Sequence, residues 1–345
     1  MSHPERPAEQ PHSPQRHWWT ALALGLLAAC GGGGEPSEAA PATDTTTPPT
    51  ATSTPPAAAQ PSPPAATATA GTGGVLCGLS GSEYNADESV RLTATYSWAC
   101  GGTSRVLASN GVPNHEVGTF PGPGNPNTIG AVSTTATYTL APVVTASSTQ
   151  VVTNGYALNG VKMEPGTAGT CGNSGGATCT QAGGTGSWHM EALGQTVFNF
   201  GTDENNAHVQ PNGAYHYHGM PERLITKLGK GTSTMTLTGW APDGFPIYAR
   251  YGHTDAHNAT SAVKVLRASY RLKATADANR PSTGIYPMGT FTQDHEYVSG
   301  LGDLDECNGR TGVTPEFPGG IYHYVITDTF PFMGRCVKGT AASIR

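Results

Sequence analysis

Four consecutive residues near the middle of the chain, Tyr215-His216-Tyr217-His218, carry side chains suited to metal binding and proton transfer. Side chains alternate across a β-strand, so His216 and His218 would share one strand face with their backbones about 7 Å apart, and the tyrosines would share the other. Imidazole is the commonest metal ligand in proteins. The tetrad therefore predicts a strand that aims two histidines at one metal ion.

A partial copy of the tetrad occurs later in the chain, as Tyr322-His323-Tyr324-Val325. On a sister strand His323 would add a third imidazole, and three histidines around an open position are typical of a catalytic zinc or a copper centre. The copy has Val325 where the first tetrad has His218, which argues against a symmetric site with four histidines. We therefore predict that His216, His218 and His323 bind copper or zinc.

Four residues are candidates for a supporting role: Tyr217, Asp243, His115 and His208. Asp243 begins an Asp-Gly turn, and its carboxylate would orient a ligating histidine. His115 and His208 are isolated imidazoles that would serve as further ligands. The sequence leaves a second interpretation open, in which the tetrads are buried, hydrogen-bonded aromatic ladders. The protein would then be a non-catalytic surface module for a glycan or protein partner.

The loop from Asp303 to Gly309 places carboxylates at alternate positions, Asp303 and Asp305, followed by an asparagine and a glycine. Oxygen ligands suit calcium, but the glycine comes one residue later than in an EF-hand and the final bidentate glutamate is missing. A tight turn, capped by aspartate and fixed by a disulfide at Cys307, is the favoured interpretation of this loop.

The N-terminus has the features of a bacterial export signal. Basic residues precede an apolar stretch from Trp18 to Ala29, which is too short to span a bilayer as a stable helix. The stretch ends in Leu-Ala-Ala-Cys30, which resembles the lipobox, whose cysteine is diacylated and becomes the mature N-terminus. We predict a signal peptide over residues 1–29 and a lipid on Cys30 that anchors the chain to a membrane. The resemblance, with Gly31 in place of an aspartate, implies sorting to the outer membrane.

Residues 30–74 are rich in Gly, Pro, Thr, Ala and Ser and have almost no large apolar side chains. Such a segment cannot offset its ordering entropy, so we predict a disordered stalk. Residues 75–345 are long enough to form a substantial core. Charged residues make up 12% of the chain, the net charge is -6 and no Lys/Arg cluster occurs. Nucleic acid is therefore excluded as a partner.

The chain has seven cysteines, and six remain when Cys30 is set aside. An even number is expected for disulfides in an oxidising compartment, and a thiolate metal site would need a C-x-x-C spacing that the chain does not have. The spacing favours local pairs, although other pairings stay open: Cys77 with Cys100, Cys171 with Cys179, and Cys307 with Cys336.

Alternating β-branched and aromatic residues predict strands over Val90–Trp98, Thr134–Leu140, Thr149–Val152, Gln195–Phe200, Ser233–Trp240, Leu266–Leu272 and Ile321–Thr327. One short helix is predicted from Pro221 to Gly229, with proline in its first turn and glycine as its stop. We therefore predict a mainly β fold, a β-rich α+β arrangement of antiparallel sheets in a sandwich or a distorted barrel, with few short helices.

Six motifs follow one another in a fixed order: Asn110–His115, Leu158–Val161, the first tetrad, Asp243–Tyr248, Asp303–Gly309, and Tyr322–Tyr324 with Phe330-Pro331. Together they resemble the bacterial YHYH domain family, which is named for the tetrad. The resemblance extends from about Arg105 to Val337 and implies a YHYH domain with an N-terminal extension within residues 75–345. It also implies an exported or lipid-anchored protein. It implies no catalytic residues, because the family has no established activity.

Overall fold

The computed structural model describes residues 71–174, 178–230 and 233–342. The predicted signal peptide, Cys30 and the stalk up to residue 70 lie outside these ranges. Thr72, near the start of the first range, contacts the domain through its carbonyl, which accepts a hydrogen bond from Nη2 of Arg105 over 3.1 Å. Within the described ranges, no helix is long and apolar enough to cross a membrane.

An antiparallel sheet of four strands forms the N-terminal part of the domain, in the chain order β1 Leu79–Asn85, β2 Leu92–Gly101, β3 Ser104–Ser109 and β4 Thr134–Thr139. Ala94 and Trp98 on β2 and Ala136 and Tyr138 on β4 are buried, and the residues between them are exposed or half-buried. This alternation is expected for a sheet that packs one face on a core.

The remaining strands of the described residues are short. They are β5 Thr149–Gln150, β6 Gly155–Ala157, β7 Lys162–Met163, β8 Thr170–Cys171, β9 Cys179–Thr180, β10 Trp188–His189, β11 Ala207–Val209, β12 Tyr215–Tyr217, β13 Thr236–Trp240, β14 Pro246–Ala249, β15 Tyr251–His253, β16 Val263–Val265, β17 Tyr270–Leu272, β18 His295–Tyr297, β19 Gly309–Gly312, β20 Ile321–Ile326 and β21 Cys336–Val337. The predicted helix is present as α1, Glu222–Lys227, and a 3₁₀ turn spans Thr292–Asp294.

Eight of these strands form the central sheet, in the order β11-β12-β7-β6-β13-β14-β20-β19. Neighbours are antiparallel except for two parallel pairs, β12 with β7 and β14 with β20. The sequence of parallel and antiparallel pairs is the same when read from either edge of the sheet. The sheet therefore consists of two four-strand halves that meet between β6 and β13. Each tetrad strand, β12 or β20, is second from an edge.

The N-terminal sheet and the central sheet share one hydrophobic core. Indole Nε1 of Trp98 on β2 donates to the carbonyl of Leu158 over 2.9 Å, and the hydroxyl of Ser109 donates to the carbonyl of Gly160 over 3.0 Å. The central sheet is open, with β11 and β19 at its edges, so it does not close into a barrel. The prediction of a mainly β fold is confirmed.

Most predicted strands contain an observed strand, but the strand predicted over Gln195–Phe200 is wrong. The side-chain Oε1 of Gln195 accepts hydrogen bonds from the amides of Val197 and Phe198, at 2.7 and 2.8 Å, and folds the segment into a turn. Such a side chain offers the backbone an alternative to strand pairing. The three predicted disulfides are confirmed, with Cys77–Cys100, Cys171–Cys179 and Cys307–Cys336 bonded.

Candidate metal centre

Three imidazoles converge at one edge of the central sheet. Strands β11 and β12 form a hairpin in which His208 lies directly opposite His216. Directly opposed residues share a sheet face, and His218 lies two residues beyond His216, so alternation places all three rings on the same side. The ring centroids are 4.6 to 4.7 Å apart. The hairpin therefore gathers three histidines from a short stretch of chain.

The ring nitrogens are close enough to share one ion. One ligand atom from each of His208, His216 and His218 lies within 4.8 Å of the other two. The closest pair is Nε2 of His208 and Nε2 of His218, which are 3.1 Å apart. His216 and His218 are buried, and His208 is half-buried. The group thus lies beneath the surface, with His208 on the edge strand.

Backbone carbonyls fix the orientation of each ring. Nδ1 faces the carbonyl oxygen of Phe200 at 2.7 Å in His208, of Ala214 at 3.3 Å in His216 and of Pro165 at 3.4 Å in His218. A carbonyl only accepts, so these contacts favour the neutral tautomer that carries its proton on Nδ1 and keeps a lone pair on Nε2. A ring held in this way through its other nitrogen is the usual arrangement of a metal-bound histidine.

Burial also favours the neutral form of these rings. It lowers the pKa of His216 and of His218 well below the ordinary value of 6.5, and the neighbouring imidazoles lower it further. Burial lowers the pKa of His208 as well, although the hydrogen bond from its ring to the Phe200 carbonyl raises it. All three rings are therefore uncharged near neutral pH, which is the state that coordinates a cation.

The nearest basic side chain on the sheet is balanced by an acid. Lys162 on β7 lies opposite His216. Its ammonium forms an ion pair with Glu164 and donates to Oε1 of Gln210 over 3.0 Å, while Nε2 of Gln210 donates to Glu164 over 2.8 Å. This network offsets the lysine charge beside the histidines.

The tetrad tyrosines point to the opposite face, as the alternation predicts. The hydroxyl of Tyr217 contacts Nε2 of His115 at 2.6 Å and Nδ2 of Asn159 at 3.1 Å, and the hydroxyl of Tyr215 donates to Asp203 over 2.6 Å. His115 is therefore a hydrogen-bond partner of Tyr217 on the core face. Its predicted role as a further ligand is wrong, because the sheet separates it from the three histidines.

The structure also corrects the predicted third ligand. His323 lies on β20, five strand steps from β12 in the central sheet, or about 24 Å at about 4.8 Å per strand. It cannot join His216 and His218, and His208 takes that place. Asp243 belongs to the same distant half, where its carboxylate accepts a hydrogen bond from the hydroxyl of Tyr324 over 2.5 Å. It orients no histidine of the group.

The carboxylates of the Asp303–Gly309 loop are committed to internal donors. Asp303 accepts from the ammonium of Lys264 over 2.5 Å and from the amide of Arg267 over 2.9 Å. Oδ1 of Asp305 accepts from the amides of Cys307 and Gly309, at 2.9 and 3.0 Å. The loop is the capped turn that the sequence favoured, and the calcium alternative at Asp303 and Asp305 has no free oxygen pair to support it.

Sequence reasoning gave His208 only a supporting role, although a signal for its position was present. The segment from Val209 to Ala214 contains Pro-Asn-Gly, a strong turn signal between two short runs with alternating side chains. A hairpin closed by that turn pairs Val209 with Tyr215 and so sets His208 opposite His216. Counting the register outward from the turn would have identified the third histidine.

One of the three comparisons with known proteins finds a match. A family model described as YHYH protein matches residues 134–339, which is more than half of the chain and contains all three histidines. No curated protein and no solved structure matches the chain.

Proposed function

Because the chain belongs to the YHYH protein family, we propose that its domain binds one transition-metal ion, copper or zinc, through His208, His216 and His218. Imidazole nitrogen suits both metals. Three protein ligands leave a fourth position for water or a substrate, which is the arrangement of catalytic zinc centres. The ion would supply a Lewis acid or, as copper, a redox centre at that position.

The contact between Nε2 of His208 and Nε2 of His218 carries the proposal. With the proton of each ring on Nδ1, the tautomer that the carbonyl contacts favour, two lone pairs face each other at 3.1 Å. This contact is repulsive unless a proton or a cation lies at it. A proton from the neutral Nε2–H tautomer of either ring would relieve it only if that ring gave up its hydrogen bond from Nδ1 to the carbonyl of Phe200 or Pro165. A metal ion removes the repulsion without that cost.

The spacing also suits coordination. Zinc–nitrogen bonds of about 2.0–2.1 Å in a tetrahedron place neighbouring nitrogens about 3.3 Å apart. The 3.1 Å pair nearly matches that edge, and the third ligand atom lies within 4.8 Å.

We also propose that the domain works outside the cytoplasm, anchored through a lipid on Cys30 and sorted to the outer membrane. The lipobox-like Leu-Ala-Ala-Cys30 supports this, and so does the presence of three disulfides, which persist in oxidising compartments. Metabolic labelling with a fatty acid in a bacterial host tests the anchor. Label and membrane association should both be lost in Cys30→Ser, and a labelled variant would contradict the proposal.

Elemental analysis of the full chain after dialysis against zinc or copper tests the metal site. We expect about one equivalent per chain, and a loss of at least tenfold in affinity for His208→Ala, because one of three ligands is removed. His253→Ala is the matched control, since His253 lies on β15 outside the group. Absence of metal from the folded parent chain would favour the structural, non-catalytic surface module instead.

A further inference from the structure

The two halves of the central sheet repeat each other well beyond the tetrads. Asp203-Glu-Asn-Asn-Ala-His208 leads into β11 as Asp305-Glu-Cys-Asn-Gly-Arg310 leads into β19. We propose that the second half is a repeat of the first whose metal site is closed by Arg310 and Val325, and that replacing these two residues by histidine opens a second site for zinc or copper. The inference rests on the metal site proposed for the first half.

Two equivalent aspartate-capped turns set the register of the two edge strands. In the first half, Asp203 accepts from the amides of Asn205 and Ala207 at 2.9 and 3.2 Å and from the Tyr215 hydroxyl at 2.6 Å. In the second half, the corresponding contacts of Asp305 are those from Cys307 at 2.9 Å, Gly309 at 3.0 Å and the Tyr322 hydroxyl at 2.9 Å. The two turns therefore share these three contacts.

The left-handed residues of these turns also correspond. Asn206 has φ 53° and Asn308 has φ 61°, a backbone region that few residues other than glycine and asparagine adopt readily. The carbonyl of Asn206 accepts from the amide of His218 over 2.7 Å, and that of Asn308 accepts from the amide of Val325 over 2.9 Å. Val325 thus occupies the position of His218 in three dimensions as well as in sequence.

A second pair of turns repeats in the middle of the sheet. Oδ1 of Asn159 accepts from the amide two residues later over 3.2 Å, and Oδ1 of Asp243 does the same over 3.3 Å. Each side chain also contacts the last tyrosine of its own tetrad, Tyr217 at 3.1 Å and Tyr324 at 2.5 Å. The repeat therefore includes the hydrogen bonds of the core face.

The two halves differ at the positions of the three histidines. His323 matches His216, and Nδ1 of each ring faces the carbonyl two residues earlier, at 3.1 and 3.3 Å. Opposite His323, where the first half has His208, β19 carries Arg310. One of three imidazoles is conserved between the halves, and a valine and a permanently charged side chain replace the others.

Arg310 disfavours a cation at the corresponding position of the second half. Its guanidinium donates to the carbonyl of His253 over 3.0 Å, so a fixed positive charge lies beside the His323 strand position and repels a second cation. Nε of Arg310 and Nε2 of His323 are both buried without a partner. An unpartnered, buried Nε2 on His323 is expected if this ring occupies the position of a metal ligand and Arg310 has taken the place of the ion.

Arg310→His combined with Val325→His tests the inference in the full chain. Elemental analysis after dialysis against zinc or copper should rise from about one to about two ions per chain, and His323→Ala in this background should remove the added ion. Arg310→Ala with Val325→Ala is the control, because it removes the guanidinium without adding ligands. A folded histidine variant that binds no more metal than the parent overturns the inference.

Two further variants keep the result interpretable. Val325 packs with Leu266 and Leu304, so a larger ring there could prevent folding. Arg310→His alone leaves that packing intact and should give a weaker, His323-dependent second site for copper; its absence in a folded protein counts against the inference. When Arg310→His and Val325→His are combined with His208→Ala and His218→Ala, the chain should still bind one ion at the second site. This variant therefore tests the second site separately from the metal site proposed for the first half.

Discussion

The hydroxyl of Tyr217 is within 2.6 Å of Nε2 of His115. Nδ1 of His115 faces the carbonyl of Glu116 at 2.8 Å, so Nε2 carries the lone pair and Tyr217 is the donor. The same hydroxyl accepts from Nδ2 of Asn159 over 3.1 Å. One tyrosine of the tetrad thus joins the segment between β3 and β4 to the central sheet, while its histidine neighbours face the other way.

Tyr217→Phe should lower the free energy of unfolding by about 1 to 3 kcal/mol, because two buried polar groups lose their partner. Metal content should stay at the parent level, since Tyr217 lies on the face opposite the histidine group. Denaturant unfolding and elemental analysis of the same sample measure the two effects. If the variant lost metal while remaining folded, the separation of the two faces would be contradicted.

His323 should make the domain less stable in mild acid. Burial and, to a smaller extent, the charge of Arg310 lower its pKa from 6.5 to about 4 against the opposing hydrogen bond to the Ile321 carbonyl, so between these values the unfolded chain binds a proton that the folded chain does not. Stability is therefore full above pH 6.5 and falls as the pH drops toward 4, by about 3 kcal/mol for this group.

His323→Leu removes the titrating ring and should flatten that part of the pH profile. Urea midpoints measured for parent and variant between pH 7 and pH 4.5 give the comparison, in which other histidines contribute equally to both chains. Parallel profiles for the two proteins would show that His323 is not buried in its neutral form.

The disulfides should contribute to stability according to the length of chain that they close. Cys307 and Cys336 are 29 residues apart, and Cys171 and Cys179 are 8 apart. Loop-closure entropy gives about 3.6 kcal/mol for the longer loop and about 2.5 kcal/mol for the shorter one. Replacing each pair by alanine and measuring the free energy of unfolding should reproduce this order, and the reverse order would contradict it.

Much of the fold could be predicted from the sequence because its signals are local. The alternation of β4 and β20 and the proline and glycine that bound α1 act over a few residues. The cysteine pairs are likewise close in sequence. Each of these predictions needed only the chemistry of neighbouring residues.

The order of strands in the central sheet could not be predicted in the same way. The resemblance of the two tetrads suggested that His216 and His323 meet, yet β12 and β20 pair with β7 and β14 instead of with each other. Parallel pairing depends on contacts between distant segments, which alternation within a strand does not encode. The copy of the tetrad marked a repeat of the fold rather than a second half of one site.

X-ray absorption spectroscopy at the metal edge of the zinc-loaded or copper-loaded full chain tests the metal site most directly. We predict a first shell containing three imidazole nitrogens at about 2.0 Å, with the outer-shell scattering of the rings, and a loss of one ring in His208→Ala. A first shell of oxygen or sulfur with no ring scattering would contradict the assignment of His208, His216 and His218 as ligands.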